Sequence, residues 1–131
     1  MSDPRYGETM KSKGGLGRLV NALKYTWQGL LAAARHEEAF RQELVVVVPL
    51  AVSAWLLPGI PLLERALLFG VLLLILIAEL LNSAIEANTD HISLERHPLA
   101  KRAKDMGSAA VFLAILIAAA TWAAVIWTRL A

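Results

Sequence analysis

The most constraining feature of the sequence is an uncharged run of 23 residues at positions 106–128. At a helical rise of about 1.5 Å per residue, this run extends over roughly 34 Å, enough to cross a hydrocarbon core of about 30 Å. Two weaker apolar segments precede it, at residues 44–57 and 62–85. The first is short, so we expect its helix to begin near Ala39, and the Pro- and Gly-containing break at residues 58–61 predicts a hairpin between the two.

Composition supports a membrane protein. The chain is 57% hydrophobic, whereas soluble domains average about 45–50%. It contains no cysteine, which excludes disulfides and thiolate metal sites, and its net charge of +2 gives no reason to expect a nucleic-acid partner. The sequence therefore predicts an all-α integral membrane protein with a single membrane-embedded domain, residues 1–131. The expected membrane helices are about 39–57, 62–90 and 98–128.

A basic amphipathic helix is predicted before the first membrane helix, at residues 16–36, after a polar tail at residues 1–15. In a soluble bundle such a helix would be an ordinary packing helix. Beside three membrane helices, it is more typical of a helix that lies in the membrane interface. Its apolar stripe consists of Leu16, Leu19, Val20, Leu23, Trp27 and Leu30.

The distribution of basic residues predicts the orientation. Residues 1–41 contain seven Lys or Arg and residues 90–105 contain four, whereas residues 58–65 contain one. By the positive-inside rule, we expect a cytoplasmic N-terminus and an external C-terminus. The first forty residues contain no apolar run typical of a signal peptide, so we expect the N-terminus to be retained. Three tryptophans lie toward the predicted outer ends, as lipid-facing interface anchors would: Trp55, Trp122 and Trp127.

Polar residues on the second membrane helix point to a functional site. Glu79, Asn82, Ser83, Glu86 and Asp90 fall within roughly a 100° arc of one helix face. Glu79 lies about 9 Å inside the apolar segment, where an ionised carboxylate costs at least a few kcal/mol. Protonated Glu79 could instead join chains by a hydrogen bond to Asn82 of a neighbouring helix. Such a contact does not need three carboxylates on one face, which favours a site enclosed by helices of this chain and a neighbour.

Two further polar clusters are predicted at the same membrane level. Residues 36–43 supply carboxylates at the start of the first membrane helix, and Lys101, Lys104, Asp105 and Ser108 share a face of the third. Carboxylates opposite a basic group suit Mg²⁺ together with a polyphosphate. The chain has no Walker loop, so a nucleotide site would have to be built from side chains. A non-enzymatic channel or proton-pathway subunit is the alternative that these residues leave open.

Two motifs carry a family resemblance: Glu79-Leu-Leu-Asn-Ser-Ala-Ile-Glu86 and Arg102-Ala-Lys-Asp-Met-Gly-Ser108. Together with residues 37–43 and Thr121-Trp122, they make the chain similar to prokaryotic diacylglycerol kinases from position 18 onward. The sequence departs from that pattern at Leu31, Ala34 and His91. Undecaprenol kinases share the acidic helix and remain an alternative, but residues 40–43, Thr121-Trp122 and the amphipathic helix favour the diacylglycerol branch.

The resemblance implies a homotrimer of the bacterial cytoplasmic (inner) membrane, with sites shared between protomers, that phosphorylates diacylglycerol with Mg-ATP. It implies that Glu79 is the general base and that Glu37 and Glu86 hold Mg²⁺. The implied ATP-binding residues are Arg18, Tyr25, Glu37, Glu86, Glu95, His97, Lys104 and Asp105. The implied lipid-binding residues are Ala39, Phe40, Arg41, Gln42, Glu43, Glu79, Asn82, Ser108 and Trp122.

Overall fold

The computed structural model describes residues 14–92 and 97–131, and these residues form four helices and no strand. The chain divides into two compact units, Met1–His36 and Glu37–Ala131. The described part of the first unit contains helix α1, and the second unit contains α2, α3 and α4. The helices are α1 (Leu16–His36), α2 (Glu38–Leu56), α3 (Leu62–Ile92) and α4 (Pro98–Leu130).

Helices α2, α3 and α4 are each long and apolar enough to cross a membrane, with 19, 31 and 33 residues. The prediction of three membrane helices in an all-α protein is therefore confirmed. Because α3 runs antiparallel to both neighbours, its two ends mark the two ends of the bundle. We call the end at residues 57–61 the turn end, and the end at residues 92–98 the loop end.

The turn between α2 and α3 depends on a glycine. Gly59 has a φ of +76°, a conformation that L-residues with a side chain rarely adopt. The amide of Leu57 donates to the carbonyl of Ser53 at 2.9 Å, which completes the last turn before the break. This geometry accounts for the tight hairpin that the prolines predict.

The N-terminus of α4 is fixed by two adjacent residues. Pro98 occupies a first-turn position, where its missing amide hydrogen costs nothing. His97 is the N-cap, and its Nδ1 accepts a hydrogen bond from the amide of Leu99 at 3.2 Å. Helix α4 therefore begins at residue 98, where the sequence predicts the start of the third membrane helix.

Helix α3 is the central helix of the second unit, since it packs against both α2 and α4. From Leu68 to Asn82, its buried residues follow one another at intervals of three or four, which gives a single continuous stripe. At the turn end, Leu68 packs with Ala54 and Val125. Nearer the loop end, Ile75 packs with alanines of α4. Small residues on α4 let the two helices approach closely.

Helix α1 has the amphipathic pattern that the sequence predicts. All six apolar residues of its stripe have exposed side chains, among them Leu16, Leu23 and Trp27. Arg18 and Lys24 lie off that stripe. The helix thus presents an exposed apolar face and basic residues beside it.

Candidate active site

Glu79 is buried in the second unit although it carries a carboxyl group. Only 5% of its surface is exposed. It follows Leu72 and Ile75 in the buried stripe of α3, and Asn82 comes next at the expected interval. The polar face that the sequence predicts is therefore a continuation of the hydrophobic stripe, and the same packing that buries the leucines also buries Glu79.

Polar neighbours on the same helix contact two of the carboxylates of α3. Ser83 Oγ donates a hydrogen bond to Glu79 Oε1 at 3.5 Å, and Asn82 Nδ2 donates to Glu86 Oε1 at 3.3 Å. Both pairs are four residues apart, a spacing at which helical side chains meet. Glu79 and Glu86 are thus each oriented by a partner one turn away.

Two carboxylates of the α2 region face those of α3. Glu79 interacts electrostatically with Glu37, Glu43 and Glu86. Glu37 lies immediately before α2 in an extended conformation, and Glu43 Oε2 is buried without a hydrogen-bond partner. Like charges at such proximity repel one another, so a cation bound here would be strongly favoured.

No group of three His, Cys, Asp or Glu residues in the described ranges is placed to hold a metal by itself. Mg²⁺ does not require such a group, because proteins commonly hold it with one or two carboxylates, substrate phosphates and water. The predicted ligands Glu37 and Glu86 fit that pattern. Their hard oxygen atoms are the correct donors for Mg²⁺.

Lys104 supplies a positive charge beside the carboxylates. Its Nζ forms an ion pair with Asp90 across the α3/α4 interface and also interacts electrostatically with Glu86. Lys101 pairs with Asp105 at 2.5 Å, within α4. Sequence reasoning placed Lys104 and Asp105 on one basic face but missed the contact between Lys104 and Asp90. The short connection between α3 and α4 was the signal that could have found it, because it brings residues 90 and 104 to the same level.

The other predicted site residues lie on several helices and differ in burial. Phe40 is buried on α2, while Ala39, Arg41, Gln42 and Ser108 are exposed. Gln42 Nε2 donates to Glu38 at 3.3 Å. Arg18 and Tyr25 lie on α1, where both are exposed, and His97 caps α4. Glu95 lies outside the described residues.

Trp122 is a predicted site residue that lies well away from Glu79 along the bundle. It packs against the cluster of Ala54, Leu68 and Val125 at the turn end. Leu68 is eleven residues from Glu79 on α3, or about 16 Å along the helix axis. The buried indole Nε1 of Trp122 has no hydrogen-bond partner. Its role in lipid binding stays a prediction.

An apolar groove of about 560 Å³ runs between α3 and α4. Leu74, Ile77 and Leu81 line it from α3, and Met106 and Leu113 line it from α4. Asn82 lies at the same groove and is its polar lining residue. The groove therefore joins an apolar surface at membrane depth to the polar cluster.

Membrane-length helices that enclose a carboxylate cluster next to a lysine define a small integral membrane enzyme. Residues 24–126 match the family model of prokaryotic diacylglycerol kinase. The chain belongs to this family.

Curated relatives agree with the family match over nearly the whole chain. A diacylglycerol kinase of Pseudomonas aeruginosa is 53% identical over 116 residues, which cover 88% of this chain and 94% of the relative. A diacylglycerol kinase of Escherichia coli K12 is 45% identical over 116 residues, covering 88% and 93%. One of Haemophilus influenzae is 42% identical over 113 residues, covering 86% and 95%.

Proposed function

We propose that the chain transfers the γ-phosphoryl group of ATP to the primary hydroxyl of diacylglycerol, giving phosphatidic acid and ADP. Family membership and the names of the curated relatives support this activity. The structural observation that carries it is the buried carboxylate of Glu79, which lies at membrane depth next to three other carboxylates. A soluble substrate would not need a general base within the membrane, whereas the hydroxyl of a membrane lipid can reach one there.

Glu79 is the general base in this proposal. Its carboxylate takes the proton of the lipid hydroxyl as that oxygen forms its bond to the γ-phosphorus, and the bond from phosphorus to ADP breaks. Ser83 donates to Oε1 and so leaves the second oxygen to accept the proton. A positioned general base typically contributes about 10²- to 10⁴-fold to the rate.

Glu37 and Glu86 would hold Mg²⁺. A bound ion would supply positive charge to the phosphate groups of ATP. Glu86 is positioned for this by the hydrogen bond from Asn82, and Glu37 by its place at the start of α2. Glu37 precedes α2 and Glu86 lies on α3, so the two proposed ligands come from different segments of the chain.

ATP would bind at the loop end. Lys104 is paired with Asp90 here, and in the proposal a phosphate oxygen of ATP replaces that partner. An ammonium group is an effective point-charge ligand for phosphate. The remaining proposed ATP contacts are Arg18, Tyr25, Glu95, His97 and Asp105.

The lipid would approach Glu79 from the membrane. Its polar part would contact Glu43 and Asn82, and the apolar groove between α3 and α4 offers a surface that suits an acyl chain. The remaining proposed lipid contacts are Ala39, Phe40, Arg41, Gln42, Ser108 and Trp122.

We further propose that the protein is a homotrimer in the bacterial cytoplasmic membrane with its N-terminus in the cytoplasm. The basic residues before α2 and near the loop end support this orientation. The exposed apolar face of α1 suits a helix at the cytoplasmic interface, where ATP is available.

The test uses the purified protein in mixed micelles with γ-labelled ATP. Three parallel samples contain diacylglycerol, undecaprenol or no lipid, each with Mg²⁺ or with excess EDTA. We expect labelled phosphatidic acid with diacylglycerol and Mg²⁺, and no lipid product when EDTA is present. Preferential labelling of undecaprenol, or no labelled lipid at all, would contradict the proposal.

A further inference from the structure

Helix α4 packs closely against α3 at Gly107, which is buried. A Cβ atom built at this position would overlap Oδ1 of Asn82, and it would lie 3.3 Å from Cγ and 3.6 Å from Cα of the same residue. Gly70 of α3 has open space instead, because a Cβ atom built there would have no atom within 4 Å. The space at Gly107 is therefore filled by the Asn82 amide.

The Asn82 amide has two ends with different surroundings. Only 8% of the residue is exposed, and its buried Oδ1 has no hydrogen-bond partner. Nδ2 donates to Glu86 Oε1. Because the amide group is planar, the direction of Oδ1 toward Gly107 also fixes the direction of Nδ2 toward Glu86.

Close helix packing alone does not explain a glycine at this position. Elsewhere on the buried face of α4, Ala114 and Ala118 pack against Ile75 of α3 with a methyl group. Glycine in a helix interior is less favourable than alanine. Gly107 lies opposite Asn82, and because it has no Cβ atom it leaves the space that the Asn82 amide occupies.

We propose that Gly107 is a positioning residue for phosphoryl transfer. By leaving room for Oδ1, it seats the Asn82 amide so that Nδ2 holds the Glu86 carboxylate in the orientation that binds Mg²⁺. This inference rests on the proposed function, since it takes Glu86 as a metal ligand. Gly107 itself touches neither substrate nor metal.

The first experiment compares Gly107→Ala with Gly70→Ala. Each adds one methyl group to a glycine in a membrane helix, but only the first displaces Asn82. The measurements are the phosphorylation rate as a function of Mg²⁺ concentration and the thermal unfolding midpoint in the same detergent. We expect Gly107→Ala to raise the Mg²⁺ concentration for half-maximal rate by about 10-fold, the usual effect of losing a group that orients a metal ligand. Gly70→Ala should match the wild type, and an unchanged Mg²⁺ requirement in Gly107→Ala would overturn the inference.

A double-mutant cycle then tests whether Gly107 acts through Asn82. In Asn82→Ala the amide is gone, so adding Gly107→Ala should change neither the Mg²⁺ requirement nor the unfolding midpoint further. The double variant also keeps the test decisive if Gly107→Ala alone does not fold, because the overlap is removed. Independent effects, or a double variant that also fails to fold, would overturn the proposal.

The two readouts separate this inference from the proposed function. A wild-type chain that phosphorylates no lipid would refute the proposed function and the role of Gly107 in Mg²⁺ binding. The unfolding cycle would still report whether Gly107 and Asn82 are coupled. Normal wild-type turnover with uncoupled variants would refute the inference alone.

Discussion

At Glu79, a carboxylate occupies a helix position that packing alone would give to an aliphatic residue. The preceding members of the same buried stripe are Leu72 and Ile75. Burying a charged group is unfavourable unless partners compensate it, and Glu79 has a single long hydrogen bond from Ser83 and three carboxylates in electrostatic range. Glu79 therefore does not stabilise the fold at this position, but its carboxylate is well placed to accept a proton or to contact a cation.

Replacing Glu79 by Gln tests the general base directly. The amide has the same size and can still accept from Ser83, so we expect the fold and the unfolding midpoint to be kept. Turnover should fall by about 10²- to 10⁴-fold because the proton acceptor is lost. Glu64→Gln at the turn end is the matched control and should retain turnover. Near-normal phosphorylation by the Glu79→Gln variant would remove Glu79 from the mechanism.

The proposed metal ligands predict a specific pattern of non-additivity. We expect Glu37→Ala and Glu86→Ala each to raise the Mg²⁺ concentration needed for half-maximal rate, because each removes one oxygen ligand. The double variant should lose much less than the sum of the two effects in log rate, since both residues serve one ion. Rates measured across an Mg²⁺ titration provide the comparison. Full additivity with an unchanged Mg²⁺ requirement would assign the two carboxylates to separate surface roles.

At the scale of the helices, the sequence predicts the membrane segments because length and apolar composition suffice for that. The polar face of α3 can also be predicted from the sequence, since helical periodicity places Glu79, Asn82 and Glu86 on one side of the helix. Periodicity does not say which neighbouring helix a face will meet. The ion pair between Asp90 and Lys104 escaped prediction for this reason, because it depends on the relative rotation of α3 and α4.

At the turn end, Arg65 makes contacts that the periodicity of the sequence does not predict. Arg65, in the first turn of α3, donates hydrogen bonds to the carbonyls of Ala54 at 3.0 Å, of Leu57 at 3.3 Å and of Ile60 at 3.3 Å. It also donates to the carbonyl of Trp55 and lies 5.7 Å from the centre of that ring. Carbonyls at the C-terminus of a helix lack partners within the helix, so Arg65 caps α2 across the hairpin.

We therefore predict that Arg65→Met destabilises the hairpin. The aliphatic part of the side chain is kept, but the carbonyls of α2 and the turn lose a charged donor, at a cost of about 1.5–3 kcal/mol. Arg129→Gln is the comparison. It loses one exposed hydrogen bond to the carbonyl of Gly59 at 3.2 Å and a partly exposed ion pair with Glu64, and such pairs contribute about 1 kcal/mol or less. Thermal unfolding in detergent should show the larger loss for Arg65→Met. A larger effect of Arg129→Gln would contradict the capping role.

For the whole molecule, the distribution of basic residues predicts the orientation in the membrane. We predict that positions 14 and 96 react with a membrane-impermeant thiol reagent applied from the cytoplasmic side, and that positions 59 and 131 react only from outside. Single-cysteine variants need no background removal, because the chain contains no cysteine. Labelling of positions 14 and 96 from opposite sides would refute three crossings with this orientation.

Association of chains is not needed to bury Glu79. The sequence led us to expect that a neighbouring chain would help to enclose it, but the described helices of one chain already bury it. Some other predicted site residues are exposed in the single chain. The side chain of Asp105 is 62% exposed and pairs with Lys101 on its own helix, and Ser108 is also exposed. If these residues serve catalysis, they face the site of a neighbouring protomer.

Mixing inactive chains tests this sharing. In a cyclic trimer whose sites combine Glu79 of one chain with Asp105 of the next, an equal mixture of Glu79→Gln and Asp105→Asn chains should recover about one quarter of wild-type activity, because one site in four joins two intact residues. Glu79→Gln mixed with Glu86→Ala is the matched control. Both residues lie on α3 of one chain, so no assembly of these two chains rebuilds a complete site and activity should stay absent. Recovery in the control, or full activity of Asp105→Asn alone, would contradict a site that combines Glu79 of one protomer with Asp105 of its neighbour.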